Sequence, residues 1–218
     1  MSKPKHAKTV IKAIVYDFDG VVVNSLKYHY LAIKAVLDRC GLPTPPIKKM
    51  NDWWYAPYDN RFKELGVSLS QKEIEKIYGK EINDKDFDFF PNFIQTILQL
   101  KTDGYSLFIV SATPFLEPIS KILSEHNAMD HFTDIQYNCH NKESVLVELM
   151  KTYKLVSTQV VYIGDTKNDM TSGINAGVLP IGFDGGFGAV ESLIKAGAKE
   201  IIKDHKQIIQ LLSCRVSG

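Results

Sequence analysis

Three short apolar runs in this chain each stop at a chemistry-bearing residue, and that recurrence limits the available folds more than any other feature. Ile14-Val15-Tyr16 runs into Asp17, the run from Tyr105 to Val110 into Ser111, and Val160-Val161-Tyr162-Ile163 into Gly164-Asp165. Val, Ile and Tyr suit a pleated surface, and an uninterrupted apolar run is what a strand covered on both faces looks like. Helical spacing follows the runs, and further strands are expected near 134–137, 179–183 and 200–202. The chain therefore reads as α/β, with a doubly wound, mostly parallel sheet. In such a sheet the carboxyl ends of strands near the topological switch point form the ligand crevice, so residues distant in sequence converge there.

The residues at those ends have a definite chemistry. Asp17-Phe18-Asp19-Gly20 places two carboxylates one residue apart, and burying both without a counter-charge would cost several kcal/mol or more, on the order expected for unpaired anions. Mg²⁺, a hard ion that takes oxygen ligands, is the simplest remedy. The alternative is a strand followed by an acidic Asp-Gly turn. Asp165 and Asp169 lie four apart where a strand gives way to a helix, so both carboxylates can face one centre. Ser111-Ala112-Thr113-Pro114 offers hydroxyls and backbone N–H groups before a helix, a setting that favours oxyanions, although capping of that helix is the commoner role for Ser111 and Thr113. Lys142 stands near the start of a helix, where the macrodipole disfavours a cation and an anion would compensate; taken alone it reads as a solvated surface lysine.

The order Asp-x-Asp, Ser, Lys, Asp-x-x-x-Asp along a βα repeat resembles the haloacid dehalogenase superfamily over most of the chain. The resemblance implies that Asp17 is a nucleophile taking a phosphoryl group and Asp19 a general acid and base. It implies that Ser111 and Lys142 hold the transferring group, with Ala112 and Thr113 in the same substrate-binding turn, and that Asp17, Asp19, Asp165 and Asp169 make the Mg²⁺ site, with Asp169 supporting Asp165. Relatives that cleave carbon–halogen bonds lack an acid at the second position, so Asp19 points to phosphate ester hydrolysis or phosphoryl transfer. Such chemistry needs positioning and charge neutralisation. Asp19 should then protonate the leaving alkoxide and deprotonate water, which calls for a pKa nearer neutrality than that of a free Asp. Asn24 and Ala112 depart from the commonest family residues at their positions.

The alternation is interrupted after Asp19-Gly20, where about 25–88 read as helices: Tyr28 to Leu37, Asn60 to Leu65, and Gln71 to Lys80 after Ser68 and Ser70. Residues 1–24 and 89–218 then form the α/β core and 25–88 an inserted helical domain, which resembles the mobile cap of the phosphoglycolate phosphatase and β-phosphoglucomutase branch. Lys48, Lys49, Trp53, Trp54, Tyr55, Tyr58 and Arg61 concentrate aromatic and cationic groups in it, and Trp54 and Arg61 are candidate substrate contacts; the plainer alternative is that the Trp pair anchors a small core. Asp184-Gly185-Gly186-Phe187-Gly188 lacks the spacing of a dinucleotide fingerprint and reads as a backbone loop near the site.

With 218 residues, 44% hydrophobic and a formal net charge of +1, the chain can bury a core plus a subdomain and has no basic stripe for nucleic acid. Met1 to Lys8 is basic without an apolar h-region, and no segment reaches the roughly 18 apolar residues of a membrane span. Cys40, Cys139 and Cys214 match no metal or disulfide pattern, so reduced thiols in a cytoplasmic protein are expected. The expected partner is a small phosphorylated metabolite, with no nucleic acid or membrane, and the expected state is a monomer or weak homodimer. The expected function is that of a Mg²⁺-dependent phosphatase; the alternatives are a sugar-phosphate mutase and a non-catalytic phosphate- or metal-binding protein.

Overall fold

The computed structural model describes residues 10–47, 58–82, 85–114 and 116–216. Its six strands are β1 (Ala13–Tyr16), β2 (Ser106–Val110), β3 (Asp134–Gln136), β4 (Val160–Gly164), β5 (Leu179–Phe183) and β6 (Glu200–Ile202). They form one sheet in the order β3-β2-β1-β4-β5-β6, and every pairing is parallel. The order reverses between β1 and β4, which places the switch point between the first and third apolar runs.

Both faces of the central sheet are covered, which is why β1, β2 and β4 read as continuous apolar runs. Successive side chains alternate across a strand. Ile14 and Tyr16 accordingly join Leu107, Ile109, Val161 and Ile163 on one face, packed by α4 (Phe93–Thr102), α5 (Leu116–Glu125) and α9 (Lys206–Val216). Ala13 and Val15 join Phe108, Val110, Val160 and Tyr162 on the other, packed by α6 (Lys142–Thr152) and α7 (Lys167–Asn175). A short α8 (Val190–Lys195) leads into β6.

Between β1 and α4 lie α1 (Leu26–Arg39), α2 (Tyr58–Glu64) and α3 (Gln71–Ile82). They share a separate apolar cluster that includes Ile33, Val36, Leu37, Phe62, Val67 and Ile74. The two chain crossings between this insert and the sheet are bonded to each other: the Asn24 N–H donates to the Asp88 carbonyl at 2.9 Å and the Phe90 N–H to the Val22 carbonyl at 3.1 Å. Among the described residues no helix is long and apolar enough to cross a membrane, and Cys40, Cys139 and Cys214 are unpaired.

Candidate active site

Strand register brings the chemistry together. Tyr16 lies level with Ile109 and with Ile163, so Asp17, Ser111 and Asp165 emerge within a residue of one another at the carboxyl edge. The Asp17 N–H continues the ladder by donating to the Ile163 carbonyl at 2.9 Å. Asp169 follows on the first turn of α7, where Thr166 caps the helix: its hydroxyl accepts from the Asp169 N–H, while its own N–H (2.9 Å) and hydroxyl donate to Asp169 Oδ2. Such reciprocal capping fixes a carboxylate within the first turn.

Asp17, Asp165 and Asp169 are all buried, and one carboxylate oxygen from each lies within 4.8 Å of the others. Lys142, the first residue of α6, explains its unusual place at a helix N-terminus by reaching into this group: Nζ is 2.7 Å from Asp17 Oδ2 and 2.7 Å from Asp169 Oδ1. The Tyr162 hydroxyl donates to the same Asp169 oxygen at 2.8 Å. Asp169 thus has donors on both oxygens. Asp165 does not: Oδ2 accepts from the Phe187 N–H at 2.6 Å, whereas Oδ1 is buried with no hydrogen-bond partner among the described residues.

Fully ionised, three carboxylates facing one ammonium would leave two negative charges unbalanced in a buried space. Burial and the neighbouring anions accordingly push the Asp17 carboxyl up to about 7 against the pull of Lys142, and burial followed by Asp169 and Asp17 pushes Asp165 well above the usual range. An all-oxygen donor set with a surplus of two negative charges and an orphaned carboxylate oxygen fits a hard divalent cation.

Asp19 stands outside this group. Its Oδ1 lies 3.0 Å from His29 Nε2, and its Oδ2 accepts from the Thr113 hydroxyl at 2.7 Å. Burial raises its pKa, but the His29 charge and the bonds from His29 and Thr113 outweigh burial and hold the carboxyl at about 2. The sequence leads one to expect a value nearer neutrality; the imidazole, supplied from α1, reverses that expectation. It also leads one to place Asp19 among the metal-binding carboxylates, whereas the structure turns this side chain to His29 and Thr113. The Ser111 hydroxyl accepts from the Thr113 N–H at 3.0 Å and is buried, and Ala112 is buried beside it. Arg61 donates from Nη1 to both carboxylate oxygens of Glu64 at 2.8 Å within α2. Trp54, with Lys48, Lys49, Trp53 and Tyr55, lies outside the described residues, as does the side chain of Tyr58.

His29, Tyr162 and Thr166 enter the site without a signal in the motifs, whereas the loop read from the sequence as backbone near the site supplies the Phe187 N–H. A histidine on the otherwise apolar face formed by Ala32, Ile33 and Val36, with its other ring nitrogen 2.6 Å from the Tyr78 hydroxyl, is the one that patterning could have singled out.

Residues 14–183 match the haloacid dehalogenase-like hydrolase family. Phosphoglycolate phosphatase of Haemophilus influenzae is 24% identical over 225 residues, covering 94% of this chain and 99% of its own, and that of Pasteurella multocida is 23% identical over 227 residues, with the same coverage. Among solved structures, a haloacid dehalogenase-like hydrolase from Streptococcus pneumoniae superposes with a TM-score of 0.78 at 23% identity, covering 92% of this chain and 98% of that one. A Bacteroides vulgatus protein provisionally assigned as a beta-phosphoglucomutase superposes at 0.77 with 17% identity, covering 97% and 92%. Both share the fold.

Proposed function

The chain belongs to the haloacid dehalogenase-like hydrolase family and is a phosphatase acting on phosphoric monoesters, and from that premise we propose that it hydrolyses a small phosphorylated metabolite of the phosphoglycolate kind through an aspartyl-phosphate on Asp17, with Mg²⁺ as cofactor. The observation that carries this reading is the buried group of three carboxylates around a single ammonium with one orphaned oxygen.

Asp17 attacks phosphorus: a bond forms from its carboxylate oxygen as the bond to the leaving alkoxide breaks. The Lys142 ammonium, already 2.7 Å from Asp17, stabilises charge on the transferring group. Mg²⁺, held by Asp17 and Asp165 with Asp169 in support, would neutralise the phosphoryl oxygens and the surplus carboxylate charge. Asp169 accepts from Lys142, Tyr162 and Thr166, so its main role is to hold Lys142 and the first turn of α7. Asp19 gives the alkoxide a proton and later takes one from the attacking water. Held at about 2, it is ionised in this arrangement and suited to the second task; for the first it must take up a proton, and His29 Nε2 lies 3.0 Å from Oδ1. The insert 25–88 acts as a cap that completes the site, since it supplies His29.

Phosphate release from a panel of phosphorylated metabolites, including 2-phosphoglycolate and hexose phosphates, with Mg²⁺ and with chelator, tests the reading. Mg²⁺-dependent release from a small set of esters is expected. Full activity in chelator would remove the metal from the mechanism, and a rearranged sugar phosphate without free phosphate would assign a mutase.

A further inference from the structure

Asp184 to Gly188, between β5 and α8, wraps one oxygen of Asp165. The Phe187 N–H donates to Asp165 Oδ2 at 2.6 Å and the Gly188 N–H to the Asp165 carbonyl at 2.9 Å. The approach needs glycine on both sides: a Cβ at Gly186 would stand 2.0 Å from Asp165 Oδ2 and 2.4 Å from the Gly20 carbonyl, and one at Gly20 would stand 2.2 Å from the same oxygen. With Oδ2 enclosed, Oδ1 is the oxygen left for a cation. Glycine-flanked backbone is also the kind that holds its shape least well unaided.

The support comes from the other side of the molecule. The Phe187 ring is only 7% exposed, and it is buried among Ile33, Val36, Leu37, Phe62, Val67 and Ile74, all residues of the helical insert. It also meets the His29 ring edge to face, with centroids 5.4 Å apart. One residue of a sheet loop therefore has its side chain in the insert's apolar cluster and its amide on a carboxylate of the metal group.

We propose that Phe187 is a positioning residue that ties the seating of the insert to the geometry of Asp165, so that the divalent cation is bound tightly only while the ring is lodged in the insert. The inference rests on the reading of Asp165 as a metal ligand. The coupling is reciprocal, as any linkage between two binding events must be: metal binding favours the seated insert. Partners that orient a metal ligand from outside the coordination sphere typically change affinity by about 10-fold to 100-fold when lost, and the Phe187 amide itself survives substitution, so the lower figure is expected here.

The test is calorimetric titration of the full chain with Mg²⁺ and no substrate, comparing wild type, Phe187→Leu and Phe187→Ala at a temperature where circular dichroism shows each folded. Phe187→Ala should bind Mg²⁺ about 10-fold more weakly and Phe187→Leu, which still fills the apolar cluster, within about 3-fold of wild type. Ile33→Ala, made on the insert side of the cluster, should weaken binding in the same direction. A ring that only stabilises the insert would lower Tm and leave the Mg²⁺ affinity of the folded protein unchanged; that result, or equal losses for Phe187→Leu and Phe187→Ala, overturns the proposal. If Phe187→Ala does not fold, Phe187→Val and Ile33→Ala decide by the same criterion. A wild-type chain that binds no Mg²⁺ would instead refute the metal assignment, and the coupling with it.

Discussion

Asp17 and Asp19, one residue apart, have opposite electrostatic surroundings, and the contrast suits the different roles proposed for them. Asp17 shares its burial with two other carboxylates and one ammonium, whereas Asp19 has a histidine on one oxygen and a hydroxyl on the other. Asp17→Asn should abolish turnover while far-ultraviolet circular dichroism stays native, because volume is nearly conserved and one anion leaves a crowded site. Asp19→Asn should lower kcat by roughly two to four orders of magnitude, the usual contribution of positioned acid–base catalysis. Wild-type hydrolysis by either variant would remove that residue from its role. A third residue governs stability. His205 is fully buried against Phe183 and Phe93, its Nε2 lies 2.9 Å from the Val21 carbonyl, and its Nδ1 has no partner among the described residues. Burial lowers its pKa from 6.5 to about 4. The folded chain therefore keeps this ring neutral where the unfolded chain takes up a proton, and stability falls as pH drops from about 6.5 to about 4, by on the order of 3 kcal/mol. The raised Asp17 and Asp165 act with the opposite sign in metal-free protein, so the measurement is a difference. Between pH 7 and pH 5, the urea midpoint of wild type should fall relative to that of His205→Phe, and parallel pH profiles would show that His205 does not titrate in this way.

Elements place these residues, and they also explain what the sequence conceals. Thr166 closes α7 onto β4 through both directions of its bonds with Asp169. Thr166→Val keeps the backbone bond but loses the hydroxyl, so it should cost about 1 kcal/mol, the usual worth of an N-cap, lowering Tm by roughly 2–4 °C in a chain of this size. An unchanged Tm in a thermal scan would show that the cap carries no stability. Asp17, Asp165 and Asp169 were legible because each ends or begins an element whose apolar pattern is local, and a parallel sheet brings such ends together; Lys142, on its own a surface lysine, was singled out only through the family resemblance. The central strands were legible from the same local patterns, while β3 and β6 are short and only partly apolar. His29 and Tyr162 were not legible, since what they bond to depends on which carboxylate they approach across the tertiary fold, and the loop of Phe187 was legible only as backbone near the site. Tyr162 in particular reads as one more apolar strand residue, and only the register of β4 against the start of α7 aims its hydroxyl at Asp169. The lowered pKa of Asp19 was illegible in the same way, because its cause lies on another element.

At the scale of the whole molecule, the chain crosses between sheet and insert twice, at Val22 to Asn24 and Asp88 to Phe90, and the crossings are bonded to each other. A pair of adjacent crossings can absorb a dihedral change while the bodies on either side stay rigid, which is how lid closure commonly couples binding of the remote part of a substrate to assembly of the site. Read as a cap, the insert should contribute in two separable ways. His29 touches Asp19 and should matter to every substrate. Arg61, paired with Glu64 on α2, should matter only to a substrate that carries a second anion to take that partner's place. His29→Ala is therefore expected to lower kcat by similar factors for the metabolite and for p-nitrophenyl phosphate. Arg61→Ala should lower kcat/KM for the metabolite by roughly 10-fold to 100-fold, the worth of a charge-assisted hydrogen bond, and leave the small aryl ester nearly unchanged. Equal losses on both substrates in folded Arg61→Ala would mean that this side chain does not discriminate, and would move the choice of substrate to the loop from Gly185 to Gly188, whose backbone already encloses Asp165.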